Sequence, residues 1–440
     1  MRFNNLPNQW EVKTMPQVVK WGSGGTPKAT ERQYYDGGTI PWLIIGDLND
    51  GIVTSSTSKI TELGLQNSSA KMIPAGTLLV AMYGSIGKLG ITGIECCTNQ
   101  AIAYAKELHG VTTKYMFFYM AMMKSELISK GKGGTQKNIS QTVLNSLEVI
   151  VPPLSEQERI VARIEELFSQ LDAGVETLKK TKAQLAVYRQ AVLKEAFEGD
   201  LSAEWRTDHS DCSPARDYES IAIKDPTYKD TSGDENEIRL ALPDNWIKLR
   251  MGDVFSVEVG ATPSRRVPEY WNGAINWVSS GEVRFNRIFS TDERITEAGL
   301  ANSSTNVQPA GTIMLAMIGE GKTRGQAAIL EISAAHNQNT AAILVSATPC
   351  DPKYIYYFLQ MNYENTRRVG SGNNQKALNK ERVRALRFPF TSFAEQHVIV
   401  EAIESRLSVC DSIEQTVDIA LQQAEAMRQS ILKDAFEGRL

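Results

Sequence analysis

The chain has 440 residues, 42% of them hydrophobic and 22% charged, which is the balance of an ordinary globular protein rather than a disordered or fibrous one. A net charge of −4 excludes a uniformly basic sheath for nucleic acid, and five cysteines (Cys96, Cys97, Cys212, Cys350, Cys410) without metal-ligand spacing exclude a disulfide scaffold or zinc finger. Met1 to Trp10 lacks the apolar run of a secretory signal, and Tyr115 to Met123 falls far short of the ~20 residues that cross a bilayer, so a cytoplasmic protein with no membrane role is expected.

Residues 1–154 read as one α+β domain. Short β-branched and apolar runs, such as Thr39 to Ile45 and Thr77 to Met82, are broken by Gly, Asn and Ser clusters, which is strand-and-turn chemistry. One or two helices interrupt them, notably near Lys114 to Ser129. Pro152-Pro153 ends the domain. Ser155 and Glu158 then have the spacing of a capping box, and residues 155–199 read as one long helix with no proline and one internal glycine, Gly174. Ile164, Leu171, Leu178, Leu185 and Val192 recur every seven residues, the period that keeps one seam against a partner helix. Such a helix is about 65 Å long at ~1.5 Å per residue. Gly199 suits its C′ position.

Residues 200–241 form a linker carrying a net −6. The chain then repeats itself. Ile295 to Met317 matches Ile60 to Met82 at 14 of 23 positions, offset by 235, and Arg428 to Leu440 repeats Arg189 to Leu201 at an offset of 239. A second α+β domain is expected at 242–391, with a helix near Lys353 to Arg368. A second long helix is expected at 392–440, capped by Ser392 and Glu395. Its seam residues would be Ile403, Cys410, Val417, Ala424 and Ile431. The period is too long for a solenoid unit, so this is a duplication of domains. The expected fold is α+β: two duplicated domains of mixed strands and short helices, separated by two long helices that form an antiparallel coiled coil. Each large domain carries a net +4 although the chain is acidic overall, which fits DNA contact through localised loops. A pseudo-symmetric molecule also suits a pseudo-symmetric partner, and duplex DNA is one.

No P-loop, HExxH or GxSxG occurs. Asp225-Pro226-Thr227-Tyr228 comes nearest to an adenine methyltransferase motif, but it lies in the linker, lacks the second proline and has no cofactor turn before it. The remaining candidates are loop residues suited to recognition. Thr135, Gln136 and Lys137 align with Asn374, Gln375 and Lys376 at an offset of 239, with Asn138 following in the first loop and Asn373 preceding in the second. In each loop a Gln-Lys pair follows a flexible turn, and Gln can read adenine while Lys reaches guanine or phosphate. An ordinary turn is the competing reading. Tyr83, Ser85 and Lys88 follow a strand whose counterpart leads to Lys322 and Arg324. Thr26 and Lys28 correspond to Thr262, Arg265 and Arg266. These loops sit at matching positions but differ in residue, as two domains reading different DNA words would require.

The motifs together resemble one family, the DNA-specificity subunit of type I restriction–modification systems. They include the Tyr34-Tyr35-Asp36-Gly37-Gly38 and Ile40-Pro41-Trp42 segments, Pro74 to Lys88, Asn99-Gln100, Gly134 to Ser140, Pro152 to Ile164, and Arg189 to Arg206. Most recur in the second copy. Thr391-Ser392-Phe393 replaces the Pro-Pro-Leu lead-in there, and Ala377-Leu378-Asn379 replaces Asn-Ile-Ser. The resemblance implies two target-recognition domains that each read half of a bipartite, asymmetric site on double-stranded DNA. It implies two modification (methyltransferase) subunits docked on the helices, carrying S-adenosylmethionine and methylating adenine N6, and a restriction subunit that joins them. The chain itself would be non-catalytic and bind no cofactor or metal. A stand-alone methyltransferase and a coiled-coil scaffold without a DNA role are the alternatives.

Overall fold

The computed structural model describes residues 6–132, 137–221, 240–319, 321–368 and 377–440. Its contacts fall into two compact units: Met1–Lys180 with Val417–Leu440, and Thr181–Thr416. Among the described residues no helix is long and apolar enough to cross a membrane.

In the first unit a five-stranded sheet runs in the order Val19–Ser23, Ile102–Leu108, Leu78–Ala81, Leu89–Thr92, Gly51–Val53. Only the last pairing is parallel. A three-stranded sheet (Ser58–Ile60, Ile40–Leu43, Cys97–Thr98) lies beside it in sequence, and Glu11–Thr14 pairs with Glu148–Val151. The central strand explains why its sequence is apolar throughout instead of alternating. Leu78 and Val80 enter one hydrophobic cluster while Leu79 and Ala81 enter another, so both faces are covered. The second unit repeats the order with Val257–Val259, Thr340–Ile343, Ile313–Ala316, Ala327–Leu330 and Asn286–Ile288. There Ile313 and Leu315 face one cluster, and Met314 and Ala316 the other. The helices expected in each domain are a consecutive pair, Thr113–Met122 with Lys124–Lys130 and Pro352–Met361 with Tyr363–Arg368.

The long helices run Leu154–Phe197 and Phe393–Phe436, 44 residues each. Gly174 does not interrupt the first. The capping expectations divide. Ser392 Oγ accepts from the Glu395 N–H at 3.3 Å, as an N-cap does. The Glu395 carboxylate does not return to the cap. It is buried and accepts from Arg206 at 2.6 Å, Ser202 at 2.8 Å and Trp246 at 3.1 Å. In the first copy the helix starts at Leu154, so Ser155 lies inside it and the Ser155–Glu158 box is corrected: proline stands where Ser392 stands in the second copy. What the two helix starts share is a buried glutamine. Gln157 accepts from Thr112 N–H at 2.9 Å and donates to Pro152 O at 2.9 Å. Gln396 accepts from Asp351 N–H at 3.2 Å and donates to Thr391 O at 2.9 Å.

Within each unit, a segment of one long helix packs antiparallel on a segment of the other. Arg428 pairs with Asp172 in the first unit. Arg189 pairs with Asp411 at 2.6 Å and Glu414 at 3.0 Å in the second. These half-exposed pairs are expected to set register more than stability. The seam residues Ile164 and Val192, and Ile403, Cys410, Val417 and Ala424, are buried. Within residues 200–221, Ala203–Asp208 and Pro214–Ser220 are helical, and Asp217 accepts from Phe393 N–H at 2.9 Å.

The recurrent Ala-Phe-Glu-Gly motif closes each core. Phe436 lies edge-on to Tyr115 at 5.2 Å and Tyr119 at 5.1 Å. Phe197 meets Tyr354 at 5.0 Å and Phe358 at 5.4 Å. Both phenylalanines are fully buried. Each domain is therefore completed by the helix end of the other copy. Phe436→Ala should destabilise the first unit by about 3–5 kcal/mol, and Phe197→Ala the second by a similar amount. Hydrogen exchange resolved by peptide checks this. A loss below about 1 kcal/mol, or one confined to the other unit, would refute the anchoring role.

Candidate nucleic-acid interface

Three loops that are far apart in sequence meet along one edge of each unit. In the first unit Gly25 N–H donates to Thr98 O at 2.8 Å. Met82 N–H donates to Ala101 O at 2.8 Å, and Ile139 N–H to Met82 O at 2.9 Å. The loop after Val19–Ser23, the 82–88 hairpin loop and the segment at Asn138-Ile139 are thus tied to the turn at Asn99-Gln100. In the second unit Ala261 N–H donates to His336 O at 3.0 Å, Met317 N–H to Asn339 O at 2.9 Å, and Leu378 N–H to Met317 O at 2.9 Å. The same scaffold is built twice.

Close backbone approach explains the glycines before Thr26 and Thr262. A Cβ on Gly24 would lie 2.1 Å from Asn99 O, and one on Gly260 1.9 Å from His336 O. A tryptophan holds each loop from below. Trp42 Nε1 donates to Gly25 O at 2.9 Å and Trp277 Nε1 to Ala261 O at 3.1 Å. The threonines then tie loop to turn: Thr26 Oγ1 donates to Gln100 Oε1, and Thr262 Oγ1 to Gln338 Oε1 at 2.6 Å. Gln100 and Gln338 are exposed. With the carbonyl oxygen engaged, each amide keeps its N–H₂ as a donor. In the sequence, Asn99-Gln100 stands only as a family landmark. The signal that could have found it is that Asn-Gln recurs at 337–338 after a short strand in the second copy.

The other candidates divide by what they already hold. Lys28, Ser85, Lys137, Arg266 and Lys322 are exposed, and Tyr83 is 42% exposed. Lys28 has only a long 3.7 Å ion pair with Glu31. Asn138 pairs backbone to backbone with Lys132 and bridges Tyr83. Lys88 is half-buried, with Nζ 3.4 Å from Ile45 O. Arg265 makes a bidentate pair with Glu293 at 2.7 and 2.8 Å and stacks 4.3 Å from the Trp271 ring. The Arg265 hydrogen bond holds the Glu293 carboxyl below its usual range. Arg324 donates to Arg367 O at 3.0 Å. Thr135, Gln136, Asn373, Asn374, Gln375 and Lys376 lie outside the described residues, as do Asp225 to Tyr228.

Beneath the second edge sits a histidine. His336 is fully buried, its Nδ1 lies 3.0 Å from Thr340 Oγ1, and its Nε2 has no partner among the described residues. Burial pushes its pKa down to about 4. Its counterpart in the first copy is Thr98. Burial also raises the thiols of Cys96 to about 12 and of Cys97 and Cys350 to about 11, which keeps them unreactive at neutral pH.

Two copies of one sequence domain, the Type I restriction modification DNA specificity domain, match residues 7–186 and 243–423. The chain belongs to that family. The Type I restriction enzyme MjaIX specificity subunit of Methanocaldococcus jannaschii is 23% identical over 323 residues, covering 72% of this chain and 68% of that protein. The EcoDI specificity subunit of Escherichia coli is 22% identical over 449 aligned positions, covering 100% of this chain and 90% of that one. The fold is shared with a chain solved in a study of complex assembly and conformational transition of the type I R-M system (TM-score 0.72, 15% identity, 99% of this chain and 100% of that chain). It is shared also with the HsdS subunit from Thermoanaerobacter tengcongensis (TM-score 0.54, 16% identity, 99% and 98%). The duplicated loop edges are therefore a feature of a DNA specificity domain that occurs twice in one chain.

His336 yields a pH prediction for the second specificity domain. The unfolded chain protonates at the ordinary histidine value of 6.5, the folded one only near 4, so the folded state loses stability as pH falls through that window. The loss should reach roughly 3 kcal/mol by pH 4. His336→Thr, which copies the first domain, should remove that component. Urea midpoints measured from pH 7 to pH 4 decide it, and parallel pH profiles for wild type and variant would sink it.

Proposed function

We propose that this specificity-family chain is the sequence-specific DNA-binding subunit of a type I restriction–modification complex. It would read a bipartite, asymmetric site with one domain per half, and it would itself catalyse nothing and bind no cofactor. S-adenosylmethionine would sit on the modification subunits. The observation that carries the reading is the loop edge built twice on identical backbone hydrogen bonds with different side chains. Identical backbone fixes the pose of each domain on a duplex, and differing side chains let each pose read a different word.

Roles follow from chemistry. Gln100 and Gln338, exposed and with their amide carbonyls already engaged, suit acceptors on a base edge through their N–H₂ groups. Lys28, Lys137, Arg266 and Lys322 suit phosphate, with Ser85 and Tyr83 as neutral neighbours. Thr26 and Thr262 orient the glutamines rather than read bases. The helices, with Val187, Tyr188, Val409 and Ile413 exposed, offer surface to modification subunits. A methylating partner would also need its adenine extruded from the stack.

The test is selection from a randomised duplex library by the full chain assembled with its modification subunits. Two conserved half-words separated by a fixed spacer are expected. No preference would overturn the reading, and so would methylation by the purified chain alone. Two variants sharpen it. Gln338→Ala should relax one position of one half-word by about 1–3 kcal/mol of discrimination. Lys322→Ala should weaken binding to all sequences alike and reduce the slope of log K against log salt by about 1.

A further inference from the structure

The two domains fasten their hairpin loops by different means. In the first unit the 82–88 loop is held by an apolar plug and an ion pair. Ile86 is 5% exposed, Asp50 accepts from Leu89 N–H at 2.7 Å, and Lys124 pairs with Asp50 at 3.2 Å. Asp50 has a positive φ of 56°, a conformation that aspartate tolerates when its side chain bonds the local backbone.

The second unit puts Phe285 at the matching position, also left-handed, with φ 53°. A bulky residue does not adopt that conformation without compensation. The compensation is Tyr363, which stands where Lys124 stands in the first copy. The Phe285 and Tyr363 rings meet edge to face at 5.2 Å, and the Arg367 guanidinium lies over the Tyr363 ring, 5.2 Å from its centroid. An ion pair has been exchanged for an aromatic and cation–π stack.

That stack grips the hairpin loop by its backbone. Tyr363 Oη donates to Lys322 O, Arg367 Nη1 donates to Tyr363 Oη at 2.5 Å, and Arg367 Nη2 donates to Gly321 O at 2.6 Å. The grip is returned: Arg324, on the loop, donates to Arg367 O at 3.0 Å. Gly325, with φ 84°, lets the loop turn against the Arg367 stem. Two arginines that composition alone would assign to phosphate are thus spent holding the loop, while Lys322 projects from it.

We infer that Tyr363 and Arg367 are positioning residues for DNA reading by the second domain: they fix the carbonyls of Gly321 and Lys322 so that Lys322 and its neighbours meet the duplex in one pose. The inference rests on the DNA-reading assignment above. Arg367 is suited to this because its planar fork bonds two acceptors in fixed directions, which a lysine cannot do.

The experiment is the same library selection with the full assembled complex, carrying Tyr363→Phe or Arg367→Lys. Tyr363→Phe keeps the ring against Phe285 and removes only the hydroxyl, so folding is preserved. Discrimination in the half-word read by the second domain should fall about five- to tenfold, with the other half-word unchanged. The salt slope should stay at the wild-type value, unlike that of Lys322→Ala. Unchanged discrimination in both halves, or equal loss in both, overturns the positioning role. A salt slope reduced by about 1 in Arg367→Gln, which removes the charge, would also overturn it, because Arg367 would then be a direct phosphate contact. A wild-type complex with no sequence preference would instead sink the DNA-reading assignment, and the clamp's role with it.

Discussion

The structure depends on one aromatic contact made twice. Phe436 among Tyr115 and Tyr119, and Phe197 among Tyr354 and Phe358, complete the domain cores from outside each domain's own stretch of sequence. The tyrosines are held in turn by backbone, Tyr115 to Ile150 O at 2.8 Å and Tyr354 to Pro389 O at 2.9 Å. Helix end, domain helix and final strand therefore form one packed block. Neither domain can bury its apolar surface without the helix contributed by the other repeat. The coupling links folding of the two copies through hydrophobic burial, not through the half-exposed ion pairs along the helices.

On that block, the loop edges follow a division of labour. Backbone-to-backbone hydrogen bonds set where the three loops meet, and they are the same in both copies. Side chains decide what the edge presents, and they differ. The difference reaches below the surface. Asp50–Lys124 and Phe285–Tyr363 occupy equivalent positions and both stabilise a left-handed residue, by electrostatics in one case and aromatic packing in the other. His336 in place of Thr98 is a second such exchange. Once duplicated, the domains diverged in the supports of their loops as well as in the loops.

Much of this was legible in the sequence. The seven-residue apolar period and the absence of proline announced both long helices, because helical packing needs only local geometry and a one-dimensional pattern. The repeat announced two similar domains. Individual contacts were less legible. Lys88, Arg265 and Arg324 read as free cations, yet each has an internal partner brought from tens of residues away: Ile45, Glu293 and Arg367. The Ser155 capping box had the right spacing, but the helix begins two residues earlier than the motif required.

By itself, the sequence determined the duplication, the long helices, the apolar central strands and the glycines where loops must approach closely. These are properties of spacing and residue type that hold whatever the chain packs against. Only the tertiary structure decided which loops share an edge, that Gln100 and Gln338 stand exposed on it, bonded to Thr26 and Thr262, and which charges are already spent. The physical reason is that an arginine's role is set by the carboxylates and carbonyls within about 3 Å of it. In this chain those partners lie 28 residues away for Arg265 and 43 for Arg324.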